Sequence, residues 1–160
     1  MEISGEKGDV VEVAKGVLET ILHLVGVSAS VTPQATPAAS VNLEIKGEDL
    51  GILIGRRGQT LASLQYIVRL IVTRQTKAWT PIIIDVEGYK RRRYEALQAL
   101  AWRIAEQVKS KGVPFALEPM PAFDRRIIHL ALADHPNVTT QSSGEGEARK
   151  VVILPKEQST

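Results

Sequence analysis

The feature that most constrains this chain is the reversal Gly55-Arg56-Arg57-Gly58, set between an apolar segment ending at Ile54 and a helix-forming one from Gln59. Glycines at both ends remove the Cβ atoms that block close approach or forbid positive φ. The N–H groups opening the following helix lack intrahelical partners, and the helix dipole makes that end attractive to phosphate. Arg56 and Arg57 add two permanent charges at the tip, each able to make bidentate bonds to phosphate oxygens. Such a turn can bring backbone close to an anion. Taken alone, the same residues also describe a helix–turn–helix corner with solvated arginines, so the surrounding elements decide.

At 160 residues the chain suits one ordinary domain or two small ones. Apolar residues make up 44%, enough for a packed core, and no apolar run approaches a membrane span. The acidic start lacks the basic-then-apolar pattern of a secretory signal. With no cysteine there is no disulfide, thiolate metal site or cysteine nucleophile, and a cytoplasmic location is expected. The small net charge hides an asymmetry. Residues 51–111 hold 12 Lys/Arg against 4 Asp/Glu, whereas residues 1–50 hold 3 against 8. The basic excess surrounds the glycine turn and points to a polyanion partner.

Residues 1–9 are polar and are expected to form a flexible N-terminus. From Val10, apolar residues recur at Ala14, Val17, Ile21 and Val25, predicting a helix with one buried face that Gly26 ends. Residues 27–32 predict a strand, and Pro33-Gln34-Ala35-Thr36-Pro37 a turn. Val41-Asn42-Leu43-Glu44-Ile45-Lys46 alternates as a half-buried strand does. A short helix leads into the turn, and Leu61, Leu64, Val68, Ile71 and Val72 mark the helix beyond it. Ile82-Ile83-Ile84-Asp85-Val86 predicts a buried strand. The order helix, strand, strand, short helix, turn, helix, strand resembles the bacterial (type II) KH domain. That family clamps single-stranded nucleic acid by its backbone at an Ile-Gly-x-x-Gly turn, here Ile54 to Gly58.

A long helix follows, with Tyr94, Leu97, Ala101, Ile104 and Val108 on one face. Its first turns carry Lys90-Arg91-Arg92-Arg93, a run badly placed for the helix dipole and read as a candidate RNA contact. Gly112-Val113-Pro114 ends the helix and is taken as the domain boundary. Beyond it, residues 115–117 predict a short strand, Asp124 a helix cap, Pro136 a helix stop, and residues 138–142 and 150–154 two strands around Gly144-Glu145-Gly146.

Arg125 and His129 lie four apart on that helix, so both occupy one face. The stretch Phe123-Asp124-Arg125-Arg126-Ile127-Ile128-His129 resembles the R-three-H domain, named for an arginine and a histidine separated by three residues. That resemblance implies single-strand binding through Arg125, Arg126 and His129. A KH domain followed by an R-three-H domain resembles the Jag family of bacterial RNA-binding proteins, over about residues 10–155. The family often carries a further N-terminal domain and linker, which this resemblance does not include. It implies single-stranded RNA as partner, with single-stranded DNA as the alternative, and post-transcriptional control linked to cell elongation and division. It also implies a homodimer, or a heterodimer with a small KH-only protein. The expected architecture is α+β: a type II KH domain over residues 10–112, an R-three-H domain over 113–155 and a tail over 156–160.

Catalysis is not expected, and neither a cofactor nor a metal is called for. A nucleotide-binding P-loop needs Gly-x-x-x-x-Gly-Lys-Ser/Thr, but Gly51 and Gly55 stand four apart and are followed by arginines. His23, His129 and His135 have no metal-ligand spacing. His23 suits a helix boundary and His135 a helix end. Asp85 and Glu87 could pair as acid and base, but nothing beside them supplies a nucleophile. Two other classes stay open: an RNA-cleaving enzyme using Arg125 and His129, and a protein–protein adaptor with a basic surface.

Overall fold

The computed structural model describes residues 3–36 and 39–156, and the chain divides into two compact units after Lys90. In the first unit, α1 (Ile3–Leu24) buries Ala14, Leu18 and Leu22. It starts well before Val10, so residues 3–9 continue the helix; Met1 and Glu2 lie outside the described residues. Once the buried stripe nucleates a helix, each further residue adds a hydrogen bond at little cost, even where the side chains are polar. Gly26, at φ 75°, ends it as expected. The Gly26 N–H donates to the His23 carbonyl (3.1 Å) and the Val27 N–H to that of Leu22 (2.9 Å), the Schellman arrangement.

Strands β1 (Ala29–Gln34) and β2 (Val41–Gly47) pair antiparallel, with Val31 opposite Ile45. β1 therefore runs through Pro33 and Gln34, which the sequence suggests as turn. An edge strand tolerates proline because the missing N–H faces outward. Pro37 lies outside the described residues. β3 (Ile82–Val86) pairs parallel with β2, giving the order β1-β2-β3. Between β2 and β3 run α2 (Gly51–Ile54), a 3-10 turn (Arg56–Gly58) and α3 (Gln59–Thr76). α1 and α3 cover one face of the sheet, where Val41, Leu43, Ile45, Ile82, Ile84 and Val86 meet Leu18, Leu61, Val68 and Val72. The other face is open, so Ile83 is 40% exposed and β3 is buried on one side only.

The second unit begins with most of α4 (Tyr89–Lys111). Its buried stripe starts at Leu97, not at Tyr94, whose exposed hydroxyl accepts a hydrogen bond from Gln98 Nε2 (2.9 Å). A boundary at Gly112 is a local inference from a helix stop. The structure puts the division earlier, because Leu97, Ala101, Ile104, Ala105 and Val108 share a core with residues beyond that stop. Those partners come from β4 (Phe115–Ala116) and its flank, α5 (Ala122–Ala131), β5 (Val138–Ser143) and β6 (Lys150–Pro155). The sheet is antiparallel in the order β4-β6-β5, and Gly144 (φ 88°) and Gly146 (φ 52°) shape the β5–β6 loop.

Asp124 does not cap α5; Pro121 holds that position. Asp124 lies within the first turn, buried, and its Oδ2 accepts from Arg93 Nε (3.1 Å) and Nη2 (2.8 Å). This ion pair fastens α5 to α4. Removing Arg93 strands a buried carboxylate, so Arg93→Ala should destabilise the second unit by about 2–3 kcal/mol. Arg91→Ala, which removes an exposed pair with Glu95 (3.4 Å), should cost under about 0.5 kcal/mol. Urea unfolding followed by circular dichroism checks this; equal midpoints for the two variants would refute it.

Candidate nucleic-acid interface

Three of the four residues at 55–58 have positive φ: Gly55 at 69°, Arg57 at 55° and Gly58 at 76°. Gly55 pairs its φ with ψ −174°, a region essentially reserved for glycine. A Cβ there would collide with Thr60 Oγ1 and lie 2.7 Å from Thr60 Cβ. A Cβ on Gly58 would lie 2.9 Å from the ring of Tyr89, the first residue of α4. At Gly55 backbone conformation and lack of space each require glycine, whereas at Gly58, in a left-handed conformation that Arg57 also adopts, the close Tyr89 ring is what disfavours a side chain. α2 closes into the turn through the Gly55 N–H on the Gly51 carbonyl (2.9 Å).

The tip presents Arg56 to solvent, with no hydrogen bond or ion pair among the described residues. Arg57 is half-buried in the left-handed conformation. α3 opens at Gly58 with no side-chain cap and no acidic residue in its first turn. The Gln59 N–H is bonded to the Arg56 carbonyl, whereas the N–H groups that follow it have no capping side chain and open the helix beside two arginines, which is the local chemistry of an anion site. Ile54 is half-buried against the core, as a groove wall would be, whereas Leu61 is buried inside it and cannot serve that role.

The basic run does not form one patch. Consecutive helical residues point about 100° apart, so four in a row cannot share a face. Lys90 Nζ donates to Gln65 Oε1 (2.8 Å), which also accepts the Ile84 N–H (3.0 Å). Burial holds the Lys90 ammonium below its ordinary proton affinity, with Asp85 pulling the other way. Arg93 is committed to Asp124, while Arg91 and Arg92 are exposed. Asp85 and Glu87 are likewise structural. Asp85 Oδ1 accepts the Val86 and Lys90 N–H groups (2.9 and 3.2 Å), and Glu87 Oε1 accepts that of Gly47 (3.0 Å).

In the second unit α5 brings Arg125 and His129 together beside β5. His129 Nδ1 lies 2.7 Å from Thr140 Oγ1 and Nε2 2.8 Å from Ser142 Oγ. Arg125 donates from Nη1 to Ser142 Oγ (3.2 Å) and from Nε to the Met120 carbonyl (3.2 Å). A neutral imidazole satisfies both contacts, accepting a hydroxyl proton at one nitrogen and donating at the other. Burial, and then the neighbouring Arg125 charge, hold the His129 pKa below its ordinary value. Arg126 is exposed. Thr140 and Ser142 are the functional candidates that motif reading misses. Their signal is the period of β5, in which residues 138, 140 and 142 share the face toward α5.

His135 is a core residue, not the exposed helix-end residue its place before Pro136 suggests. It is buried against Trp102 (ring centroids 5.1 Å apart), and its Nδ1 accepts the Asn137 N–H (3.2 Å). His23 is exposed on α1. Among the described residues no cluster of three or more His, Asp or Glu could hold a metal ion, and no helix is long and apolar enough to cross a membrane.

Comparison with known proteins matches both regions. The KhpA/KhpB KH-domain family covers residues 12–84, and the R-three-H domain family covers residues 95–155. The "RNA-binding protein KhpB" of Bacillus subtilis (strain 168) is 38% identical over 153 residues, 94% of this chain and 73% of that protein. The protein of the same name in Clostridium symbiosum is 46% identical over 118 residues, 74% of this chain. That in Streptococcus pneumoniae serotype 2 is 29% identical over 148 residues, 91% of this chain. The chain spans 53% of the Clostridium protein and 45% of the Streptococcus one. With a KH-family match followed by an R-three-H match and 38% identity to the Bacillus protein over 73% of its length, the chain belongs to the KhpB family.

Proposed function

We propose that the chain binds single-stranded RNA, without catalysis, at the turn of residues 55–58 and at the Arg125, Arg126 and His129 face. The observation that carries this is the turn, where the glycine-only conformation of Gly55 and the tight approach at Gly58 set an uncapped helix start next to exposed Arg56. A corner that only joined two helices would not need an exposed arginine there. The relatives' shared name supports RNA as the ligand over single-stranded DNA. Arg91 and Arg92 remain contact candidates on α4, whereas Lys90 and Arg93 serve the fold. The role we assign is post-transcriptional control linked to cell elongation and division, exercised in the cytoplasm. A second copy, or a small KH-only protein, would pair through the first unit, where α3 exposes Tyr66, Ile67 and Leu70.

Fluorescence anisotropy with a short labelled single-stranded RNA tests the turn. Arg56→Ala should weaken binding and lower the slope of log affinity against log salt by about 0.7, one phosphate contact on a single strand. Arg56→Asp with Arg57→Asp should abolish the first unit's share while leaving the melting temperature close to wild type. Unchanged affinity in the double variant would exclude the turn as an RNA site and favour the adaptor. Cleavage of the RNA over time, lost in His129→Ala, would instead make this an enzyme.

The second face should respond to pH. The free His129 ring is neutral above its lowered pKa, and a phosphate beside it favours the protonated form, so binding takes up a proton. Affinity should therefore rise as pH falls below the ordinary histidine value of 6.5, and His129→Gln should flatten that rise. Stability runs the other way. The unfolded chain protonates first, so the second unit loses stability below pH 6.5 until the folded ring also protonates. A binding profile indifferent to His129 would remove the histidine from the interface.

A further inference from the structure

α5 spends three inward positions on the core: Asp124, Ile127 and Ile128 are buried. Phe123 is not among them. It sits in the first turn of α5, 67% exposed, and Leu130 on the same side is 62% exposed. At about 100° per residue, the outward arc of α5 runs in the order Arg125, His129, Arg126, Leu130, Phe123. One edge of that arc is the polar network with Thr140 and Ser142, the other is aromatic and aliphatic, and exposed Arg126 stands between. Phe123 and Arg126 are three apart, hence neighbours with Cβ atoms about 5–6 Å apart. A nucleotide bridges that gap from base to phosphate.

We propose that Phe123 is a nucleobase-stacking platform, so that the second unit grips a base as well as phosphates. The inference rests on the RNA-binding reading above and gives it the π-surface that the turn at residues 55–58 lacks. Every base has a π-face, so such a platform holds single strands with little sequence preference. It also requires an unstacked base and therefore selects against duplex. Leu130 extends the apolar shelf beneath the base, and Arg126 sets the strand's direction by holding the adjoining phosphate.

The test is anisotropy with a labelled mixed-sequence single-stranded RNA and with a strand of equal length made of abasic residues. Phe123→Ala should weaken binding to the RNA by roughly 5- to 150-fold, the loss of one base–aromatic stack. The slope of log affinity against log salt should not change, because no phosphate contact is lost. Phe123→Trp should retain affinity. Phe123→Leu, which keeps an apolar side chain if the alanine variant folds poorly, should lose it. On the abasic strand all four proteins should bind alike. Wild-type affinity in Phe123→Ala and Phe123→Leu overturns the proposal and turns Phe123 into a candidate protein contact, as does an equal loss on the abasic strand. If Arg125→Ala with His129→Ala also has no effect, or wild type binds no RNA, the functional reading fails with it. A loss confined to the arginine and histidine variant sinks only the stacking.

Discussion

In the first unit the chain must return from the end of β2 to the start of β3, because those strands pair in parallel. A parallel pair cannot be joined by a tight hairpin and needs a crossover. Here the crossover is α2, a sharp corner and α3, and the corner has only four residues to reorient the chain between two helices. Three positive-φ conformations in those four residues achieve it. The same conformations strip Cβ atoms from the corner and leave the start of α3 without a side-chain cap. The geometry that closes the sheet therefore also leaves an uncapped helix start beside Arg56. Arg57 is the strained member, since a non-glycine residue in that region costs about 1–3 kcal/mol. The packing of Gly55 on Thr60 and of Gly58 on Tyr89 holds it there.

The second unit depends on a different constraint. Its α4 and α5 share one apolar core, and the Arg93–Asp124 pair adds a buried polar tie between them across 31 residues of sequence. Holding α5 in place aligns Arg125 and His129 with the hydroxyls of β5. Each guanidinium or imidazole there already has protein partners, so its orientation is settled before any ligand arrives.

Much of this could be read from the chain and some could not, for a consistent reason. Periodicity found α1, α3 and α4, and alternation found β2, because each pattern reports one buried face. The glycine turn was legible because its residue types answer to backbone geometry. What failed depended on partners distant in sequence. Gly112 stops a helix, but only the packing of Leu97 to Val108 on residues beyond it reveals which unit owns that helix. Lys90 to Arg93 look alike as a run, yet Gln65, Asp85 and Asp124 remove two of the four from consideration. Pro33 reads as a turn until its strand is known to be an edge, and His135 reads as a helix-end residue until Trp102 is seen to pack on it.

The two candidate surfaces are built in opposite ways, and their tolerances follow. At the turn the backbone is fixed and the Arg56 side chain is free, so binding must order a long, flexible side chain and forfeits its rotamer entropy. In return, the charge can reach phosphates in many positions, which suits a contact with no sequence to read. On α5 the entropy was lost on folding, through hydrogen bonds to Met120, Thr140 and Ser142. Less is then lost on binding, and fewer ligand geometries fit. A glycine change should therefore damage the first surface and a hydroxyl change the second. On the proposed reading, joining a permissive contact to a preorganised one would let the first capture any strand by charge while the second accepted only strands that present a phosphate, and a base, at the spacing α5 dictates.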